Sequence, residues 1–331
     1  MRQLLPDWFT MALVGMVVLA TIFPCYGQGA ELLKLVTVLA IGLLFFLQGA
    51  RLSRANVIAG LINWKLQLVV FVSTFALFPL LGLALQALMP GMLDTALWAG
   101  ILFVCVLPST VQSSIALTSI GRGNVAAAVC AATASNLIGI ALTPLLVALV
   151  LNTKGAASSS GSEVWKIVVQ LLLPFLAGQI LRPWIVNWVH RHKALLSYTD
   201  RSSILLVVYT AFSEAVIEGL WKSMPLFDLA KLLLVDGILL ALVLACTTWG
   251  SRLLHFDRAD EVTIVFCGSK KSLASGVPMA NVLFPIAMIG KIVLPLMLFH
   301  QIQLMVCAVI ARRYAARDDD DSAMRVASAK A

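Results

Sequence analysis

Charge is scarce in this sequence. Asp, Glu, Lys and Arg together make up 12% of the 331 residues, against roughly 25% in an average soluble protein. Hydrophobic residues make up 60%, and the mean hydropathy is +0.96. A soluble fold of this length would need far more polar surface, and a disordered chain would not hold so much apolar surface to bury. The six cysteines (Cys25, Cys105, Cys130, Cys246, Cys267, Cys307) show no C-x-x-C or other metal spacing, so no metal site is implied. The net charge of +8 comes with no basic run interleaved with aromatics, which argues against a nucleic-acid partner. In a membrane protein such an excess marks cytoplasmic loops. No small-residue cleavage site follows the N-terminal Met1-Arg-Gln-Leu-Leu-Pro-Asp7, so the first apolar stretch reads as a span. These absences leave an all-α, multi-pass membrane protein in contact with lipid.

A bilayer core of about 30 Å takes roughly 20 apolar residues per helix. That ruler gives ten spans, at residues 8–24, 32–49, 66–88, 96–118, 125–151, 164–185, 203–217, 227–252, 262–283 and 286–310. With a cytoplasmic N-terminus, sixteen Lys and Arg residues fall on the inner side, every arginine among them. Only Lys34, Lys154, Lys166, Lys222, Lys231 and Lys291 fall outside. The positive-inside rule therefore puts both termini in the cytoplasm of the cell, at the inner membrane if the source is bacterial. The Gly/Ser/Ala-rich stretch at 152–163 reads as a flexible linker between halves of five spans each. An odd number of spans per half sets the halves in opposite orientations, as in inverted-repeat transporters. The polar tail at 312–331 reads as short and unstructured.

Polar residues at membrane depth are expensive unless paired or functional. The fourth span is interrupted by Pro108-Ser-Thr-Val-Gln-Ser-Ser114, which presents Thr110, Gln112, Ser113 and Ser114. The ninth is interrupted by Gly268-Ser-Lys-Lys-Ser272, with Ser269, Lys270, Lys271 and Ser272, and again up to Pro278. The two breaks occupy corresponding places in the halves, where discontinuous helices form transporter sites. Ser113 or Ser114 is therefore expected within about 10 Å of Lys270 or Lys271. Thr133 and Asn136 on the fifth span, three apart, share a helix face. Asp236, nine residues past Phe227 and so about 13 Å deep, is the expected partner of the lysine pair.

The stretch from Pro108, followed by Arg122-Gly-Asn-Val125 and Leu142-Thr-Pro144, resembles the fourth and fifth helices of the bile acid:sodium symporter superfamily. Phe266-Cys-Gly-Ser-Lys-Lys-Ser-Leu-Ala274 resembles its ninth-helix motif, and the pattern points to the divergent symporter-like branch. The resemblance implies a core of spans 3–5 and 8–10 (64–151 and 227–311), with spans 4 and 9 crossing at their breaks. It implies a panel of spans 1, 2, 6 and 7 (1–63 and 164–226), with substrate bound between panel and core. Against the two sodium sites of sodium-coupled members stand several departures. The Ser-Asn pair after the proline is here Ser113-Ser114, and two hydroxyl ligands fall on Ala128 and Ala132. The ninth-helix carboxylate is Phe266, its Gln-Asn pair is Lys270-Lys271, and a third-helix Gln is Thr74.

The function expected is secondary transport of a small organic anion, bile-acid-like or otherwise amphipathic, with no cofactor and without the two-sodium site. Lys270 or Lys271 and the half-helix N-termini would attract the anionic group. One lysine would alternatively stand in for sodium, held by Ser113, Ser114 and carbonyls of the breaks. Two other classes compete. One is an intramembrane enzyme with a Ser–Lys dyad at Ser269 or Ser272. The other is a non-transporting regulator that keeps the fold.

Overall fold

The computed structural model describes residues 8–51, 63–152, 161–217, 219 and 226–328, and among these every regular element is helical. Residues 153–160 of the expected linker lie outside the described residues, while 152 ends one helix and 161–163 begin the next. In chain order the helices are α1 (Trp8–Ile22), α2 (Gly27–Arg51), α3 (Trp64–Leu88), α4 (Thr95–Val106), α5 (Val111–Ile120) and α6 (Val125–Asn152). There follow α7 (Gly161–Arg191), α8 (Lys193–Ile217), α9 (Leu226–Leu253), α10 (Arg258–Gly268), α11 (Leu273–Leu283) and α12 (Ile286–Ser328). Among the described residues, five stretches are long and apolar enough to cross a bilayer: Gly27–Arg51, Trp64–Leu88, Val125–Leu151, Phe227–Leu253 and Ile286–Ala316. The bent pair α4 and α5 makes a sixth. The protein is therefore a multi-pass membrane protein.

The breaks have local causes. Asp94 caps α4 by accepting from the Leu97 N–H at 2.6 Å. The helix stops where Pro108 withholds an N–H, and Leu107 turns extended. α5 leaves at 62° to α4. Asp257 caps α10 in the same way, with Asp260 and Glu261 in its first turn, where the helix dipole favours acids. α10 ends at Gly268, and α11 restarts with the Ser272 side chain accepting from the Ser275 N–H. α12 continues to Ser328, through the tail expected to be unstructured. An anchored helix extends without the nucleation cost that an isolated segment faces, and the Ala- and Arg-containing tail lets it propagate.

α1 and α2 pack on α7 and α8, while α3 to α6 pack with α9 to α12. α2 and α7 touch backbone to backbone at Phe46-Leu-Gln-Gly49 and Phe175-Leu-Ala-Gly178. A Cβ on Gly49 would collide with the Phe175 carbonyl, and one on Gly178 with the Phe46 carbonyl. Small residues permit this approach where lipid supplies no hydrophobic drive between helices. At the end of the bundle that carries the α9–α10 turn, Glu261 accepts from Arg252 (3.0–3.2 Å) and from the Tyr314 hydroxyl (2.6 Å). Burial pushes the Glu261 carboxyl up. The bonds from Arg252 and Tyr314, with the charges of Arg252 and Arg258, outweigh it and hold the group below the usual carboxylate range.

Candidate functional site

The two breaks cross, and each serves the open backbone of the other. The last carbonyls of any helix lack intrahelical partners. At the end of α10, the Cys267 carbonyl accepts from Ser109 Oγ at 2.7 Å and the Phe266 carbonyl from Ser114 Oγ at 3.1 Å. At the end of α4, the Val106 carbonyl accepts from Thr143 Oγ1 at 3.0 Å. Its neighbours Cys105 and Leu107 accept from Lys271 Nζ at 2.7 and 2.8 Å. The Ser272 N–H donates to the Pro108 carbonyl at 2.9 Å, joining the breaks main chain to main chain.

The third acceptor of Lys271 Nζ is the Thr74 carbonyl, at 2.7 Å. It is open because of Pro79. Residues Ser73–Leu77 of α3 form a π turn, in which the Phe78 N–H donates to the Ser73 carbonyl. The next bond of that register would come from residue 79, and proline has no N–H to give. The ring of Phe78 closes the remaining side, with its centroid 4.0 Å from Nζ. Lys271 is wholly buried in this cage.

The Lys271 main chain is also held. Its N–H donates to Gln303 Oε1 at 2.9 Å, and its carbonyl accepts from Gln303 Nε2 at 3.0 Å and from Thr110 Oγ1 at 2.9 Å. Asn136 Nδ2 donates to the Ser109 carbonyl at 2.6 Å, and Asn136 Oδ1 accepts from Ser275 Oγ at 2.7 Å. The Ser109 N–H donates to Ser135 Oγ at 2.9 Å.

Several expected residues behave otherwise. Ser269 Oγ returns to its own helix at the Val265 carbonyl, and Ser272 Oγ is spent on the cap of α11. Gln112 is exposed; Ser113 and Thr133 are half-buried, and Ser113 Oγ has no hydrogen-bond partner. The ammonium is therefore held by carbonyls of α3 and α4 and not by Ser113 or Ser114. The expected pairing of Asp236 with a lysine is not formed. Both carboxylate oxygens of Asp236 and the Lys270 ammonium are buried without hydrogen-bond partners, and Lys271 spends its protons on carbonyls. Helix rise places Asp236 and Lys271 at a similar depth. Depth does not show that a nearer set of carbonyl dipoles competes for the ammonium. Lys270 turns the other way, within electrostatic range of Cys267, Cys307 and His300. Ser109 and Ser135, which the sequence places after Pro108 and on the fifth apolar stretch, join the crossing, as do Thr143 and Gln303, which hydroxyl density does not single out. Gln303, an amide deep in the last apolar span, was the available signal.

The family model described as the SBF-like CPA transporter family (DUF4137) matches residues 7–316. A protein of Pseudomonas aeruginosa, PA2026, is 58% identical over 321 residues, covering 97% of this chain and 96% of its own. The putative symporter YfeH of Escherichia coli is 53% identical over 323 residues, covering 98% and 97%. Sodium/bile acid cotransporter 7 of Rattus norvegicus is 30% identical over 318 residues, covering 92% and 91%. With its two helix breaks and their crossing, this chain belongs to the SBF-like CPA transporter family, consistent with the bile acid:sodium symporter likeness of the motifs at Pro108–Ser114 and Phe266–Ala274.

Proposed function

We propose that this protein is a secondary transporter of a small amphipathic organic anion that works by alternating access without the two-sodium site. Ten spans form an inverted 5+5 repeat with both termini cytoplasmic. Spans 3–5 and 8–10 form the core, spans 1, 2, 6 and 7 the panel, and the anion binds between them at the crossing. The observation that carries this is the convergence of two half-helix N-termini, α5 at Val111 and α11 at Leu273, at one locus inside the bundle. Both present the positive end of a helix dipole and amide N–H groups, which suit a carboxylate or sulfonate.

The accessible edge of that locus supports the same assignment. Thr110, Ser113, Thr133 and Asn136 are half-buried, and Gln112 and Ala274 are exposed. From Gln112 the exposed face of α5 continues through Ala116 and Ser119 towards Arg122. Polar and small residues at i, i+4 and i+7 suit a water-filled vestibule, since lipid disfavours an exposed glutamine. The names of the relatives, a putative symporter and a sodium/bile acid cotransporter, support an amphipathic anion as cargo. A Ser–Lys hydrolase fits poorly. Ser269 and Ser272 are committed to backbone and cap, and no lysine amine meets either hydroxyl.

The test is flux in proteoliposomes across a panel of amphipathic carboxylates and sulfonates, paired with ligand-induced thermal shifts in sodium and in choline buffers. An anion that is transported and stabilises the protein equally in both buffers supports the proposal. Steep dependence on two sodium ions would refute the coupling assigned here. A folded protein that moves none of the anions would favour the regulator.

A further inference from the structure

The Lys271 side chain supplies three N–H donors and meets three main-chain carbonyls at 2.7, 2.7 and 2.8 Å, with an aromatic face on the remaining side. A neutral amine has only two N–H groups, so three acceptors at this distance match the three donors of an ammonium. None of the three carbonyls is lent by a flexible loop. Thr74 O is opened by the π turn and Pro79; Cys105 O lies in the last turn of α4, at its negative dipole end, and Leu107 O belongs to the extended residue that follows the helix. Each would be an unsatisfied acceptor in an apolar interior without the amine. A carboxyl group is buried on a neighbouring helix. Asp236, wholly buried and without a hydrogen-bond partner, sits on α9, which packs on the π turn.

We propose that these carbonyls form a monovalent-cation site whose resident ion is the covalently attached ammonium of Lys271, and that removing the side chain opens the site to a free small cation. The chain thus carries its own cation at the helix crossing. This deepens the transporter proposal by assigning the source of positive charge beneath the substrate locus. It stands on cage geometry alone, so it is tested without substrate. Truncation to alanine would leave three convergent oxygens and a cavity about the length of the lost amine arm. Methylammonium or ammonium matches the lost group, and potassium and sodium test how far the cage adapts.

The experiment is thermal unfolding of the full-length wild type, Lys271→Ala and Lys271→Met in detergent. Ammonium, methylammonium, potassium or sodium chloride is titrated against choline chloride at equal ionic strength. Lys271→Ala should melt below wild type in choline and rise saturably with at least one small cation. Wild type and Lys271→Met, whose cages are filled by a side chain, should not respond beyond choline. Asp236→Asn added to Lys271→Ala should weaken the cation response. The proposal is overturned if Lys271→Ala is indifferent to every cation, or if wild type responds equally. It is also overturned if Lys271→Ala cannot be recovered folded in any salt, because cellular potassium and ammonium would already fill the predicted site. Loss of anion flux with the cation response intact would count against the transporter proposal alone.

Discussion

Replacing Gln303 by methionine should loosen the crossing from behind while keeping the side-chain volume close to native. Three hydrogen bonds are lost: the Lys271 N–H to Oε1, Nε2 to the Lys271 carbonyl, and Nε2 with His300 Nδ1 at 2.9, 3.0 and 2.8 Å. Their costs differ. The Lys271 N–H is buried and has no second acceptor in this arrangement, so it bears the desolvation penalty of an unmade bond, about 1–3 kcal/mol. The Lys271 carbonyl keeps Thr110 Oγ1 at 2.9 Å, so its loss is about 0.5–1 kcal/mol. With a similar amount for His300, the expected destabilisation is about 2–5 kcal/mol. Thr110→Val alone should cost about 0.5–1.5 kcal/mol, since Gln303 still serves the same carbonyl. The double variant should exceed the sum of the two, because only then does that carbonyl lose both Thr110 and Gln303 as donors. Chemical denaturation in detergent gives the free energies. Amide hydrogen exchange localises the effect, with the peptide containing Lys271 losing protection ahead of α2 and α7. A Gln303→Met protein within about 0.5 kcal/mol of wild type, or additive singles, would refute this account of the break.

Gly178→Val should separate α2 from α7 by forcing a side chain into the Phe46 carbonyl, with loss of monodisperse protein in size-exclusion chromatography. Gly178→Ala at native stability would contradict that contact. Glu261 has its folded pKa lowered below 4.5, so its contribution to stability is fully present above that pH and is lost as the pH falls through the folded value. The difference in melting temperature between wild type and Glu261→Gln should be constant from pH 7 to 5 and shrink below about pH 4.5. A difference that grows on acidification would show the sign to be wrong. Asp236 makes no ion pair with either lysine among the described residues, so charge reversal should give no rescue. Asp236→Lys combined with Lys270→Asp or Lys271→Asp should fold no better than the worse single variant, as judged by detergent-solubilised yield; recovery would restore the pair.

Much of the molecule is legible in the chain of residues alone. Apolar runs of bilayer length, separated by arginine-bearing turns, set the membrane class, because neither water nor lipid tolerates the opposite arrangement. Pro108 and the Gly268–Ser272 stretch mark the breaks, since an absent N–H and a glycine end helices locally. The serines beside them announce that something has to satisfy the freed carbonyls. Their assignment to partners is not local. Ser109 and Ser114 reach α10, whereas Ser269 folds back on its own turn.

The lysine pair shows the division most clearly. Lys270 and Lys271 are adjacent and chemically identical, and composition and depth treat them alike. Lys271 meets three carbonyls, and Lys270 meets none. That difference follows from the direction in which the chain leaves α10 at Ser269, which only packing against α3, α4 and α12 decides. Pro79 stands in the sequence as the cause of an open carbonyl at Thr74, but the π turn that aims this carbonyl at residue 271, 197 positions away, is a product of the assembled bundle. Asp236 can be placed at its depth from helix rise alone. Its partner cannot, because an ammonium takes the acceptors nearest to it, and those are main-chain atoms that every residue carries and no sequence pattern distinguishes.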